Sequence, residues 1–210
     1  MNILLVNGSP HANGCTYTAL EEVAKTLNAE GFETQIFQIG TKPLAGCIAC
    51  KTCAKTGRCA FSDCVNDFLD LAKDADGFIF GSPVHYAAAS GAITSFMDRA
   101  FYADLLAGRQ SFYLKPAAAV VSARRAGTTA TFDQLNKYFT ISEMPIIASR
   151  YWNMVHGATP EDVKKDLEGL QTMRVLARNM AWFLKCKETG IKSGVPFPKR
   201  EENIFTNFIR

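Results

Sequence analysis

Residues 3–10 read Ile-Leu-Leu-Val-Asn-Gly-Ser-Pro, and His-Ala-Asn-Gly-Cys-Thr follows at 11–16. The apolar start is a strand, Asn2 to Val6, feeding a glycine-containing loop that opens the first helix. Backbone amides of that loop, with the hydroxyls of Ser9, Thr16 and Thr18, can surround a phosphate at the positive end of the helix. No lysine stands where a Walker A loop would place it, and the Gly-x-Gly-x-x-Gly spacing is absent. The loop therefore suits a phosphate monoester better than a pyrophosphate. An ordinary helix cap would use the same residue types.

Outward from this loop, short apolar runs alternate with helical periodicity, the mark of a parallel sheet covered on both faces. Leu20, Val23, Ala24 and Leu27 give a helix over Thr16 to Glu30 that Gly31 ends. Strands are expected at Phe32 to Ile39, Gly77 to Gly81, Ala117 to Ser122 and near Ile146 to Ser149. Helices are expected at Val65 to Lys73, Gly91 to Phe101, around Thr131 to Phe139, and from Pro160 to about Lys185. Ligands of such sheets sit at the carboxyl ends of strands. The loops after the first, third and fourth strands thus become the candidate site. The second of these, Gly81 to Gly91, has small residues that let a flat ring approach the backbone. The third, Ser122 to Thr129, adds Arg124 and Arg125.

The 210 residues suit one domain, and a formal charge of +3 is too small and dispersed for nucleic-acid binding. Met1 leads directly into the first strand and no apolar run approaches membrane-spanning length, so a cytoplasmic protein without a membrane partner is expected. In that compartment cysteines serve as thiols or metal ligands rather than disulfides. Cys47, Cys50, Cys53 and Cys59 form Cys-x2-Cys-x2-Cys-x5-Cys, a spacing that admits a 4Fe-4S cluster. Thiols without metal and a zinc site are the alternatives. Cys64 is a substitute fourth ligand. Cys186 reads as an ordinary helix residue.

Gly-Ser-Pro with Asn-Gly-x-Thr, then Ser-Pro-Val-x-Tyr with Ser-Gly and Phe-Met-Asp-Arg, resembles the flavodoxin-like NAD(P)H-dependent FMN reductase family, and the cysteine run resembles its iron-sulfur flavoprotein branch. The resemblance, over roughly residues 1 to 185, implies a three-layer α/β sandwich with a five-stranded parallel sheet in the order 2-1-3-4-5. The domain is expected over residues 1–189 with a cysteine-rich insertion at about 44–64, and the residue pattern itself leaves 190–210 as an irregular tail. Carried over by motif, Ser9, His11, Asn13, Cys15, Thr16 and Thr18 would hold the FMN phosphate. Pro83, Val84, His85, Tyr86 and Ala87 would meet the isoalloxazine, and Ser122, Arg124 and Gly127 would border its other side. His11 stands where the family usually has Arg, Cys15 where it has Asn or Ser, and His85 where Tyr is frequent, which leaves Tyr86 as the stacking partner.

The function implied is transfer of electrons from NAD(P)H or a reduced carrier to a quinone, flavin or protein acceptor, the flavin carrying the chemistry and no side chain acting as a catalytic residue. The alternative is a non-enzymatic electron-transfer or redox-sensing protein exchanging electrons with a ferredoxin-type partner. A homodimer or tetramer is implied too, and the apolar stretch Phe96 to Tyr102 is its candidate surface. Asp98 and Arg99 read as a pair on a helix surface. Trp152, Asn153 and His156 form either a reach toward the ring or a structural corner.

Overall fold

Ile3, Leu4, Leu5 and Val6 are fully buried because the first strand, β1 (Asn2–Asn7), lies inside a sheet with helices on both faces. In this computed structural model, residues 1–202, 204 and 206 are described; the far end of the expected tail lies outside them. The remaining elements are α1 (Cys15–Ala29), β2 (Glu33–Gln38), α2 (Thr52–Thr56), α3 (Cys64–Ala72), β3 (Gly77–His85), β4 (Ala88–Ala89), α4 (Gly91–Leu106), β5 (Ala117–Ala123), α5 (Thr128–Ile141), β6 (Met154–His156), α6 (Pro160–Lys165) and α7 (Leu167–Lys192).

The strands run β2-β1-β3-β5-β6, all parallel, with β4 paired antiparallel to β3. This is the expected flavodoxin-like order, with one short hairpin strand added. Alternation along each strand divides the core, since successive side chains point to opposite faces. Leu4, Val6, Phe78 and Phe80 pack with α3, α4 and α5, whereas Ile3, Leu5 and Ile79 pack with α1 and α7. Phe68 of α3 anchors the first layer, its ring 5.0–6.3 Å from those of Phe37, Phe78, Phe80, Phe96 and Phe112. Gly31, at φ 88°, closes α1 as its position predicted.

Four expectations need correction. The last strand is not at Ile146 to Ser149: Pro145 O and Ile147 N only bracket Ala117, the chain then leaves the sheet, and it rejoins beside Val121 at Met154. The final helix is two helices, because Asp166 leaves helical geometry at ψ 76° to accept the Gly169 N–H as the cap of α7. That helix continues to Lys192, so the irregular tail starts beyond it rather than at Gly190. Finally, Phe96, Met97, Ala100 and Phe101 are buried in the chain's own core and offer no surface to a second copy.

Candidate functional site

The loops after β1, β3 and β5, together with Gly157 and Ala158 after β6, wall an open cleft of about 270 Å³. Its position at the carboxyl ends of the central strands follows from the topology. Asn7 builds the first loop. Its carbonyl oxygen accepts the Ser9 N–H at 3.1 Å, and its amide donates to Gln38 Oε1 at 2.5 Å and to His11 O at 3.3 Å. Gln38 in turn donates to Ser9 O at 2.7 Å, and the His11 N–H donates to Ser9 Oγ at 3.1 Å. Gly8 must be glycine, for its N–H donates to Gly81 O at 2.8 Å and a Cβ there would stand 2.6 Å from that oxygen. The first and second loops are thereby tied backbone to backbone.

The N-terminus of α1 begins at Gly14, which supplies no side-chain cap, and no acidic residue occupies its first turn. Its amides and positive dipole end face the cleft, which is what an anion needs, although the carboxylates of Asp162 and Glu161 act on Cys15 from nearby. Burial pushes the Cys15 thiol above its ordinary value, so it stays neutral and donates to Gly157 O at 3.6 Å. A neutral thiol adds no repulsion toward a phosphate.

Of the residues expected here, Ser9, His11, Cys15, Thr16, Pro83, Val84, His85, Ser122 and Arg124 line the cleft. Asn13, Thr18, Tyr86, Ala87 and Gly127 do not. Thr18 turns its hydroxyl back to Gly14 O at 3.1 Å. Tyr86 occupies the β3–β4 turn at φ 60°, fully exposed, so its ring lines nothing in this chain. Gly127 acts from behind, since a Cβ there would meet Val84 Cγ1 at 2.8 Å. Asn153 is fully buried; its backbone carbonyl accepts the Val121 N–H at 2.9 Å, while neither the oxygen nor the nitrogen of its side-chain amide finds a partner among the described residues. Sequence reasoning missed Asn7, Gln38 and Gly157; the signal available was a polar Asn7 directly after the apolar run Ile3 to Val6 and directly before Gly8.

Beside α4, Cys47, Cys50, Cys53 and Cys59 line one pocket with Ile48, Lys51, Phe61, Arg99 and Tyr102. Two non-glycine residues between the sulfurs, Ala49 and Lys51, sit at φ 52° and 58°. Left-handed residues among ordinary ones turn successive amides to one side, the concave arrangement that suits an anionic centre. Asn66 fixes the last cysteine, accepting the Cys59 N–H at 2.9 Å and donating to Cys59 O at 3.0 Å. Cys64 instead points to Ile39 O, at 3.7 Å, outside the pocket.

The enclosed space is about 20 Å³, near that of one water site, with Cys47 and Cys50 exposed on its outer wall. Among the described residues the side chains are not drawn into a closed ligating set. The donor chemistry fits a thiolate-bound centre, and holding one requires that outer wall to open. Arg99 corrects another expectation: it lies buried against Cys59 and Asp63, while Asp98 accepts from Tyr138 Oη at 2.5 Å.

The family model described as NADPH-dependent FMN reductase matches residues 1–159. An iron-sulfur flavoprotein of Methanocaldococcus jannaschii is 31% identical over 194 residues, covering 88% of this chain and 98% of that protein. One from Archaeoglobus fulgidus is 27% identical over 195 residues, covering 89% and 98%. Among solved structures, the flavodoxin WrbA-like protein of Agrobacterium tumefaciens superposes with a TM-score of 0.61 at 15% identity, over 88% of this chain and 96% of that one. No helix among the described residues is long and apolar enough to cross a membrane.

Proposed function

Because this chain belongs to the NADPH-dependent FMN reductase family, in its iron-sulfur flavoprotein branch, we propose that it takes electrons from NAD(P)H or a reduced carrier and delivers them to a quinone, flavin or protein acceptor. The observation that carries this reading is the cleft where three loops meet the uncapped end of α1. FMN, when bound, supplies a carrier able to take a hydride and release electrons.

The chain's own part is position and polarity. Amides of the α1 N-terminus with Ser9 and Thr16 would hold the phosphate, Pro83, Val84 and His85 would meet the ring, and Ser122 would border its far edge. Arg124, exposed on the rim, would attract an anionic nucleotide donor. Cys47, Cys50, Cys53 and Cys59 would hold a 4Fe-4S cluster, the thiolates supplying its ligands. In a homodimer or tetramer a second copy would cover the exposed β3–β4 turn and with it the open side of the cleft.

Anaerobic addition of NADPH to flavin-loaded protein tests the reading. Rapid loss of flavin absorbance, with the released cofactor identified as FMN, is the expected result. No bleaching beside rapid exchange with reduced ferredoxin would instead assign the non-enzymatic carrier.

A further inference from the structure

Arg99 sits in the middle of α4 with its side chain fully out of solvent. A buried guanidinium costs several kcal/mol unless paired, and Asp63 pairs it, accepting from both terminal nitrogens at 2.8 Å. That bidentate contact satisfies the charge and would suffice for a structural tie. The guanidinium goes further, its Nε–H donating to Cys59 Sγ at 3.2 Å. It also donates to Ala45 O at 3.3 Å and lies 4.7 Å from the Phe61 ring centre. One side chain thus touches both ends of the cysteine-rich segment while aiming a charged donor at one sulfur. Lysine could not do this, because only the planar fork has a third edge left after a bidentate carboxylate contact.

Resting on the reading of the four cysteines as cluster ligands, we propose that Arg99 is a positioning residue that fixes the Cys59 sulfur and sets the reduction potential of the cluster, with Asp63 holding the guanidinium and offsetting part of its charge. A donor and a positive charge at a ligand sulfur favour the state holding the extra electron. Asp63 acts in the opposite sense.

The test is a redox titration of anaerobically prepared protein, with iron and FMN counted in each variant. Arg99→Gln should shift the one-electron equilibrium about tenfold toward the oxidised cluster, which is about 59 mV more negative. Arg99→Lys, which keeps the charge and loses the Nε contact, should shift it the same way by less. Asp63→Asn keeps a good cap for α3 and should shift the potential upward. Should Arg99→Gln fail to fold, the opposite signs of Arg99→Lys and Asp63→Asn carry the test. A purely structural tie predicts lower iron content in all three with the potential of the remaining cluster unchanged, and that outcome overturns the proposal. Variants of both residues shifting the potential in the same direction overturn it also. Iron-free wild-type protein overturns the cluster reading itself, and this inference with it.

Discussion

The hydroxyls of Thr16 and Ser122 stand 2.8 Å apart, joining the first turn of α1 to the end of β5 at the floor of the cleft. Each hydroxyl has one proton, so the pair keeps one donor free for a ligand. Thr16→Val removes that pairing and leaves a buried Ser122 oxygen without it, at a cost to stability of about 1–3 kcal/mol. FMN affinity should fall by about tenfold, and the Thr16→Val, Ser122→Ala double variant should lose less than the two single losses summed. Thr18→Val should leave affinity nearly unchanged, its hydroxyl being engaged with Gly14 O. Fluorescence titration with FMN checks all four; equal losses from Thr16→Val and Thr18→Val would contradict the assignment.

Gly8→Ala forces a methyl to within 2.6 Å of Gly81 O and 2.8 Å of Ile93 Cβ. The obstruction is backbone, which cannot rotate away, so the loop itself must shift. We expect a loss of roughly 1–3 kcal/mol in stability by thermal unfolding, as for overpacked sites, and a larger proportional loss of FMN binding. A variant with wild-type affinity would show that the loop does not hold the cofactor.

Cys59 and Cys64 were interchangeable by spacing, and the structure separates them. Cys59→Ala should abolish iron retention, while Cys64→Ala should keep it, because that thiol faces Ile39 O. Asn66→Ala removes the partners of Cys59 N–H and Cys59 O together and should lower iron content without altering FMN. Iron analysis after anaerobic reconstitution decides among them, and loss in Cys64→Ala would reverse the ligand assignment.

Burial pushes the Asp104 carboxyl above its ordinary value of 3.8, although the Ser111 N–H donates to it. A carboxyl with a raised folded value contributes most below its unfolded value, and stability falls as pH climbs through the raised one. Asp104→Asn keeps an acceptor but does not titrate. Its stability relative to wild type should therefore rise with pH from about 3.8 and then level. Melting temperatures of the two proteins running parallel from pH 3 to 7 would contradict this.

What was legible in the sequence was what local pattern decides. The apolar runs of β1, β3 and β5 and the cap at Gly31 need no tertiary information. Ile146 to Ser149 misled because its apolar start suits a strand, whereas the pairing depends on where Pro145 and Asn153 meet β5, which no local pattern contains. The long final helix misled for a similar reason: Asp166 is tolerated by the helical pattern, but it also accepts the His156 N–H at 2.7 Å, a contact fixed only by the fold. Three loops of the cleft were legible from glycine and hydroxyl content. The roles of Asn7, Asn66 and Arg99 were not, because each acts on backbone or sulfur brought near it by the fold.

On this reading one chain would carry two separable redox sites, the cleft at the carboxyl ends of the central strands and the cysteine pocket beside α4. Anaerobically prepared wild-type protein and Cys50→Ala, each assayed per chain for FMN, iron, sulfide and zinc, test it most directly. About four irons with matching sulfide and one FMN are expected in the wild type, and in Cys50→Ala the loss of most iron with FMN retained. An iron-free wild type in which all seven cysteines titrate as thiols, or zinc in place of iron, or loss of FMN together with iron in Cys50→Ala, would contradict it.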